Sequence, residues 1–263
     1  MDRTDCAYLI NTTPKYFYLL PLHITLLHRY APSLKWPIYI ATEAPELLPP
    51  LNHPNLQILK LAPTDSGFLE SRQAATAALP ESINYVFPIQ EDFLLEGRPM
   101  EKEIAAAFEA LEEVLSVRLM PCPGPKGTGL ISPGPMGDKF FNVFKVLDFT
   151  KDSLVFTYQA TIWKRTPYQI FMNTLLHKLE GKSQAEKNRI GIKVNIAENA
   201  DGQRILKELF PDDLHLSVIR DYPHSNAVYL CPWPYRPTAV VQGVLEPWAV
   251  DLAKREGFLL NPR

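Results

Sequence analysis

Short apolar runs of strand length alternate along the chain with stretches of helical period, and prolines mark many of the boundaries. Residues 7–10 form the first apolar run, followed by Asn11, Thr12, Thr13 and Pro14. Thr13 before Pro14 reads as a helix entry, because the N–H that proline lacks is not needed in the first turn. That helix is predicted to reach about Tyr30, kinked or split at Pro21. Residues 37–42 and 56–61 read as the second and third strands, with a loop over 45–54. Ser66 and Gly67 open a second helix that runs to Leu79. Residues 85–89 are apolar throughout, as a strand buried on both faces should be. The first ninety residues therefore read strand, helix, strand, strand, helix, strand, which is the first half of a doubly wound α/β domain.

Residues 100–114 are amphipathic. Ile104, Ala107, Phe108, Leu111 and Leu115 share one face, and Glu101, Glu103, Glu109, Glu112 and Glu113 lie mostly elsewhere. Residues 116–120 read as a fifth strand. Residues 121–137 are rich in glycine and proline. Their glycines suggest a phosphate loop, but the Walker spacing is missing and prolines remove backbone donors, so a plain loop is expected. Residues 140–147 and 154–162 alternate like two strands joined by a turn at 149–153. Thr166 is expected to cap a helix starting at Pro167 and ending near Leu179. Residues 181–189 read as polar and mobile, and residues 190–194 as a short strand or coil. Residues 197–210 have helical period, and 215–219 and 227–231 read as short strands. Glu246 and Pro247 open a terminal helix that ends near Gly257. No shift in composition marks a linker, so one domain spanning 1–263 is expected.

Composition narrows the partners. The chain has 263 residues, 46% hydrophobic and 21% charged, which is ordinary for a globular protein. The formal net charge is -2, which gives no expectation of a nucleic-acid or anionic-membrane partner. Cys6, Cys122 and Cys231 are far apart and form no CxxC pair, arguing against a disulfide framework or a thiolate zinc site. No HExxH spacing suggests a helical zinc site. The apolar run at 16–27 is broken by Pro21 and His23 and is too short to span a bilayer. The N-terminal residues lack the pattern of a signal peptide. A cytoplasmic protein without a transmembrane segment is expected.

The candidate chemistry collects at predicted strand ends. Glu91 and Asp92 follow the 85–89 strand directly. The carboxyl edge of a parallel sheet is where ligands bind, and two hard oxygen donors there suit a divalent cation that also holds phosphate. Asn11, Thr12, Thr13, Thr42 and Glu43 follow two other predicted strands and fall on the same edge, where they could meet a base and ribose. Turn and capping chemistry explains them equally. Ser66 opens the second helix and Arg72 lies within it, and an arginine in the helix preceding an acidic strand end can clamp phosphate bidentately. A surface ion pair is the plainer use. Gln159, Trp163 and Lys164 combine amide, aromatic and cationic groups suited to a sugar and a pyrophosphate; a core tryptophan beside a solvated Lys164–Arg165 pair is the alternative. Glu198 and Asp201 lie near a helix start, where the dipole favours acids whatever they do. If either faced the acidic strand end, it could act as general base. His224 is a further candidate ligand, or a structural histidine.

The run from Gln90 to Phe93 (Gln90, Glu91, Asp92, Phe93) and the later run Gln159, Ala160, Thr161, Ile162, Trp163, Lys164, Arg165 occur in that order. Together with the strand order, they resemble GT-A-type glycosyltransferases, in particular small bacterial and viral sugar transferases. The resemblance covers roughly residues 6 to 210. It implies a GT-A-like, mostly parallel sheet flanked by helices, with a donor half over 1–120 and an acceptor half with a C-terminal extension over 121–263. It also implies a nucleotide-diphosphate sugar donor, a glycan or glycoconjugate acceptor, and Mn²⁺ or Mg²⁺ on the donor diphosphate. The metal falls to Asp92, with Glu91, Gln90 and the other strand-end residues around the donor. A late helical acid serves as base, here Glu198 with Asp201 in reserve. Gln90 departs from a strict Asp-x-Asp pattern. The competing expectations are a metal-dependent phosphoesterase or nucleotidyltransferase, and a non-catalytic sugar-nucleotide binder.

Overall fold

The structure, a computed structural model, describes residues 1–64, 67–112, 114–119, 140–141, 144–147, 160–195, 204–205, 208–209, 226–228, 232–236 and 238–261. Side chains of the first strand, β1 (Cys6–Asn11), alternate between two cores. Cys6, Tyr8 and Ile10 enter one, and Ala7 and Leu9 enter the other. Burial on both faces is what a parallel sheet covered by helices on both sides demands. β2 (Ile38–Thr42), β3 (Leu56–Lys60) and β4 (Tyr85–Ile89) extend this parallel sheet. A 3-10 segment (Pro14–Leu19) and α1 (Leu20–Tyr30) connect β1 to β2. α2 (Phe68–Ala77) connects β3 to β4.

Beyond β4 come β5 (Leu94–Leu95), α3 (Glu101–Ala110), β6 (Ser116–Arg118), β7 (Phe140–Phe141), β8 (Phe144–Leu147), β9 (Thr161–Lys164), α4 (Arg165–Lys178), α5 (Gln184–Asn195), β10 (Asn226–Val228), β11 (Tyr235–Arg236), β12 (Val240–Val241), β13 (Val244–Leu245) and α6 (Pro247–Arg255). Among the described residues the main sheet runs β3-β2-β1-β4-β9-β6-β10-β8-β7. The chain is therefore an α/β protein with a mostly parallel central sheet flanked by helices, as its periodicity predicts. β9 is antiparallel to both β4 and β6. β1, β2 and β3 step in one direction and β4 lies on the other side of β1, so the winding reverses between β1 and β4. No helix among the described residues is long and apolar enough to cross a membrane.

The helix after Thr13 is split at Leu20, as expected near Pro21, which sits in the first turn of α1, where no N–H is missed. Several other local expectations are corrected. Thr13 takes the N-cap position of the 3-10 segment, but its hydroxyl makes no capping bond. The apolar stretch at 140–147 is a hairpin, β7 against β8, and β8 pairs with β10 rather than with β9. The helix after β9 begins at Arg165 with Lys164 as its N-cap, so Thr166 lies inside it. Residues 190–194, read as strand or coil, belong to α5. The expected loop at 121–137, the turn at 149–153 and the strand at 215–219 lie outside the described residues.

Tertiary contacts make α5 a helix. Asn188 accepts the Phe68 N–H at 2.9 Å, which satisfies one free donor at the start of α2, and Lys187 pairs with Glu70 at 3.4 Å. Gly191 permits this approach. A Cβ there would lie 2.8 Å from Phe68 Cδ1 and 2.9 Å from Leu69 Cγ. Gly191→Ala is expected to lose on the order of 1 kcal/mol, because overpacking outweighs the gain in helix propensity. Urea unfolding measures it, and an unchanged midpoint would mean that α5 can pivot off α2.

Candidate active site

β4 ends at Ile89, and the chain turns at once. The Phe93 N–H donates to the Gln90 carbonyl at 3.1 Å, so Glu91 and Asp92 are the two central residues of a hydrogen-bonded turn. Neither has positive φ, as a type I turn requires. The other carbonyls of this turn are also held. The Glu91 carbonyl lies 3.1 Å from His23 Nδ1, and the Asp92 carbonyl accepts the Ala239 N–H at 3.0 Å. His23 reaches the turn from α1. Residues 239–240 reach it because Trp233 is buried beneath the sheet, stacked on Trp36 and against Tyr8 and Phe87.

The two carboxylates are 7% and 8% exposed, far from the solvated loop that an acidic pair usually marks. Burial pushes Glu91 up to about 7, and the neighbouring Asp92 charge pushes the same way. Its backbone N–H, the Arg72 guanidinium and the Thr12 hydroxyl pull it back. Burial pushes Asp92 up to about 6, against the backbone N–H groups of Val240 and of Asp92 itself. Half-buried Tyr18 is raised by burial and then by the neighbouring charges of Tyr16, Asp92 and Glu91, so it too lies within electrostatic reach of the turn. His23 is pushed down to about 4 by burial and stays neutral.

The turn opens on a cavity of about 620 Å³ at the point where the winding reverses. Asn11, Thr12, Thr13, Thr42, Glu43, Arg72, Gln90, Glu91 and Asp92, all singled out from the sequence, line it together. Their interactions hold them there. Asn11 donates to Ser71 Oγ at 3.0 Å and accepts from Arg72 at 3.4 Å. The Arg72 guanidinium lies over the Phe68 ring, 3.7 Å from its centroid. Thr42 Oγ1 accepts the Ala44 N–H, and Glu43 accepts the Thr64 hydroxyl, which ties the β2 exit to the entry of α2. A second cavity of about 340 Å³ lies on the other side of the 3-10 segment, lined by Pro14, Lys15, Phe17, Tyr18, Leu47 and Pro49.

Trp163 and Lys164 are not part of this cavity. β9 pairs Trp163 with Val86 and Lys164 with Tyr85, at the start of β4. That is about 16 Å along the strand from Glu91 at ordinary strand rise. Trp163 is buried against Tyr168, and Lys164 Nζ donates to the Glu112 carbonyl. This placement, away from the Glu91–Asp92 cavity, is that of the core-tryptophan alternative. Ser66, Gln159, Glu198, Asp201 and His224 lie outside the described residues.

The sequence reading missed Tyr16, Phe68, Ser71, Ile192, Thr238 and Val240, which also line the cavity. Phe68 and Arg72 are four apart on a helix, a spacing that places them side by side and could have found Phe68. Thr238 and Val240 carry no local signal, since they arrive through the Trp233 anchor. Among the described residues no group of three or more His, Cys, Asp or Glu side chains converges to hold a metal ion. Glu91 and Asp92 supply two hard oxygen donors at most, so a cation here needs a ligand's own oxygens to complete its shell.

No family model matches the sequence, and no curated protein matches it. Among solved structures, the crystal structure of S. aureus TarS is 13% identical with a TM-score of 0.45, over 88% of this chain and 36% of that one. The structure of S. aureus TarS 1-349 is 14% identical with a TM-score of 0.44, over 88% of this chain and 59% of that one. This chain thus spans less than two thirds of either neighbour. A likeness at this level carries no argument about chemistry, which rests on the site.

Proposed function

We propose that the chain is a GT-A-type glycosyltransferase that works in the cytoplasm, moving a sugar from a nucleotide-diphosphate donor to a hydroxyl of a glycan or glycoconjugate. The observation that carries the reading is the buried Glu91–Asp92 turn. Two desolvated carboxylates at a switch point, each holding its proton well above the ordinary range, are costly unless a cation is to be bound there. Asp92, with Glu91 beside it, would hold Mn²⁺ or Mg²⁺ together with the donor diphosphate. The metal would supply charge neutralisation for the departing diphosphate. Arg72 would bring a second positive charge to the phosphates. Asn11, Thr12, Thr13, Thr42 and Glu43 offer the amide, hydroxyl and carboxylate groups that a nucleoside needs. The acceptor base falls to Glu198, with Asp201 in reserve, if the enzyme inverts. His224 is a reserve metal ligand.

A thermal-shift screen of nucleotide sugars with and without Mn²⁺ tests the reading. Saturation at about a hundred times Kd stabilises by about 2.7 kcal/mol, a shift of about 5–10 °C for a chain of this size. The expected result is one nucleotide class giving such a shift with Mn²⁺ and a much smaller one without. No response to any nucleotide-diphosphate sugar in the presence of Mn²⁺ would overturn it.

A further inference from the structure

The turn that carries the two acids has one feature that packing alone does not require. His23 is 2% exposed on α1, with each ring nitrogen committed to a different partner. Nδ1 lies 3.1 Å from the Glu91 carbonyl oxygen, and Nε2 lies 2.7 Å from the Tyr8 hydroxyl. A carbonyl can only accept, so Nδ1 carries the proton and donates. Nε2 then has a free lone pair and accepts the Tyr8 O–H. The two bonds fix the tautomer and the ring plane together. Tyr8 is 1% exposed at the centre of β1, hemmed in by Phe87 and Trp233, so the far end of the relay is anchored in the main core.

We infer that His23 is a positioning residue that pins the Glu91 peptide and thereby sets the direction in which Glu91 and Asp92 present their carboxylates to a metal-diphosphate. The Glu91 carbonyl lies past the last β4 pair, so the sheet offers it no donor. Without His23 that peptide could rotate, and the side chains on either side of it would rotate with it. The Asp92 carbonyl is held separately by Ala239, so His23 governs the Glu91 half of the turn. Outer hydrogen bonds of this kind orient ligating groups and sharpen their affinity. The role rests on the metal-diphosphate reading above; the hydrogen-bond relay itself does not.

The test has two arms. In the free wild-type protein, long-range proton–nitrogen NMR at neutral pH should find His23 as the Nδ1–H tautomer. An Nε2–H tautomer, or averaging between the two, overturns the pinning. In the second arm, UDP, GDP, CDP and ADP are titrated with Mn²⁺, each beside its monophosphate without metal. For the diphosphate that wild type binds, His23→Leu should lose about tenfold or more in affinity, and His23→Gln, which keeps an N–H donor, should stay within about threefold of wild type. Monophosphate affinity should be unchanged in both. Tyr8→Phe keeps the ring and removes only the hydroxyl. It should lose diphosphate affinity in the same direction and covers the case in which His23→Leu does not fold. Equal losses for diphosphate and monophosphate mean general damage and overturn the positioning role. So does a His23→Leu protein that binds diphosphate as wild type does, and in that case the proposed function survives. A wild type that answers to none of the four nucleotides overturns the proposed function and the role of His23 within it, while the tautomer still decides the relay.

Discussion

Asp92→Asn is expected to fold as wild type does and to lose metal-dependent donor binding and sugar transfer by about 10²–10³-fold. The fold should persist because the turn is held by main-chain bonds that the substitution leaves alone. The Phe93 N–H still reaches Gln90, and the Ala239 N–H still reaches the Asp92 carbonyl. The bond from the Val240 N–H to the Asp92 side chain, at Oδ2 and 3.4 Å, is long, and an asparagine carbonyl can accept it. What disappears is a negative charge on a hard oxygen in a desolvated place, where among the described residues no third acid converges with Glu91 and Asp92. The loss should appear in donor titrations with Mn²⁺ and in turnover, with nucleotide binding in the absence of metal little changed. An Asp92→Asn protein with full turnover would remove Asp92 from the metal site, and the carboxylate pair would then need another explanation.

The half of the site that the sequence revealed and the half it hid differ for a physical reason. Asn11, Thr12, Thr42, Glu43, Glu91 and Asp92 directly follow apolar runs. A right-handed crossover between parallel strands sends every such strand end to one edge. Once three runs are read as parallel strands, their polar exits must meet, and the cavity lining bears this out. Trp163 and Lys164 also belong to an apolar run with a polar end. They were singled out for their side-chain chemistry alone; their strand runs the other way, and periodicity carries no information about direction, so the sequence did not show that they end at the opposite edge. The pairing of β7 with β8 was hidden because the two strands, of 2 and 4 residues, are too short to show separate periods. α5 was misread because Gly191 and the β-branched Ile190, Ile192 and Val194 argue against a helix locally. The contacts of Asn188 and Lys187 with α2 outweigh that preference. The burial of Glu91 and Asp92 was the least legible feature. It depends on His23, eleven residues after Thr12, and on Ala239 and Val240, which approach from the far end of the chain.

That burial leads to the second large effect, which concerns stability. Glu91→Gln should make the free protein more stable above neutral pH while impairing metal-diphosphate binding. The folded protein holds the Glu91 proton up to about 7, whereas an exposed glutamate releases it near 4.5, and Asp92 behaves alike at about 6 against 3.8. Below about pH 3 both carboxyls are protonated, folded or unfolded, and neither affects stability. Between about 3 and 7 the unfolded chain gives up protons that the folded chain retains, so stability falls as pH rises. Above about 7 both are ionised and the whole penalty is present. At about 1.4 kcal/mol per pH unit, and with part of the effect shared between two coupled neighbours, Glu91 alone costs on the order of 2 kcal/mol. Glu91→Gln removes that cost and relieves Asp92 of a neighbouring charge. The melting temperature at pH 8 should rise by about 4–8 °C. The gap to wild type should close as pH falls towards 4, and it should narrow at pH 8 when Mn²⁺ and the donor are added, since they stabilise wild type more. A variant no more stable than wild type at pH 8 would mean that the carboxylates are solvated in the free protein. A more stable variant that also bound metal and donor as well as wild type would separate the strain from the function. The joint outcome, stability gained and binding lost at one residue, is what a site kept under electrostatic strain for its ligand should give.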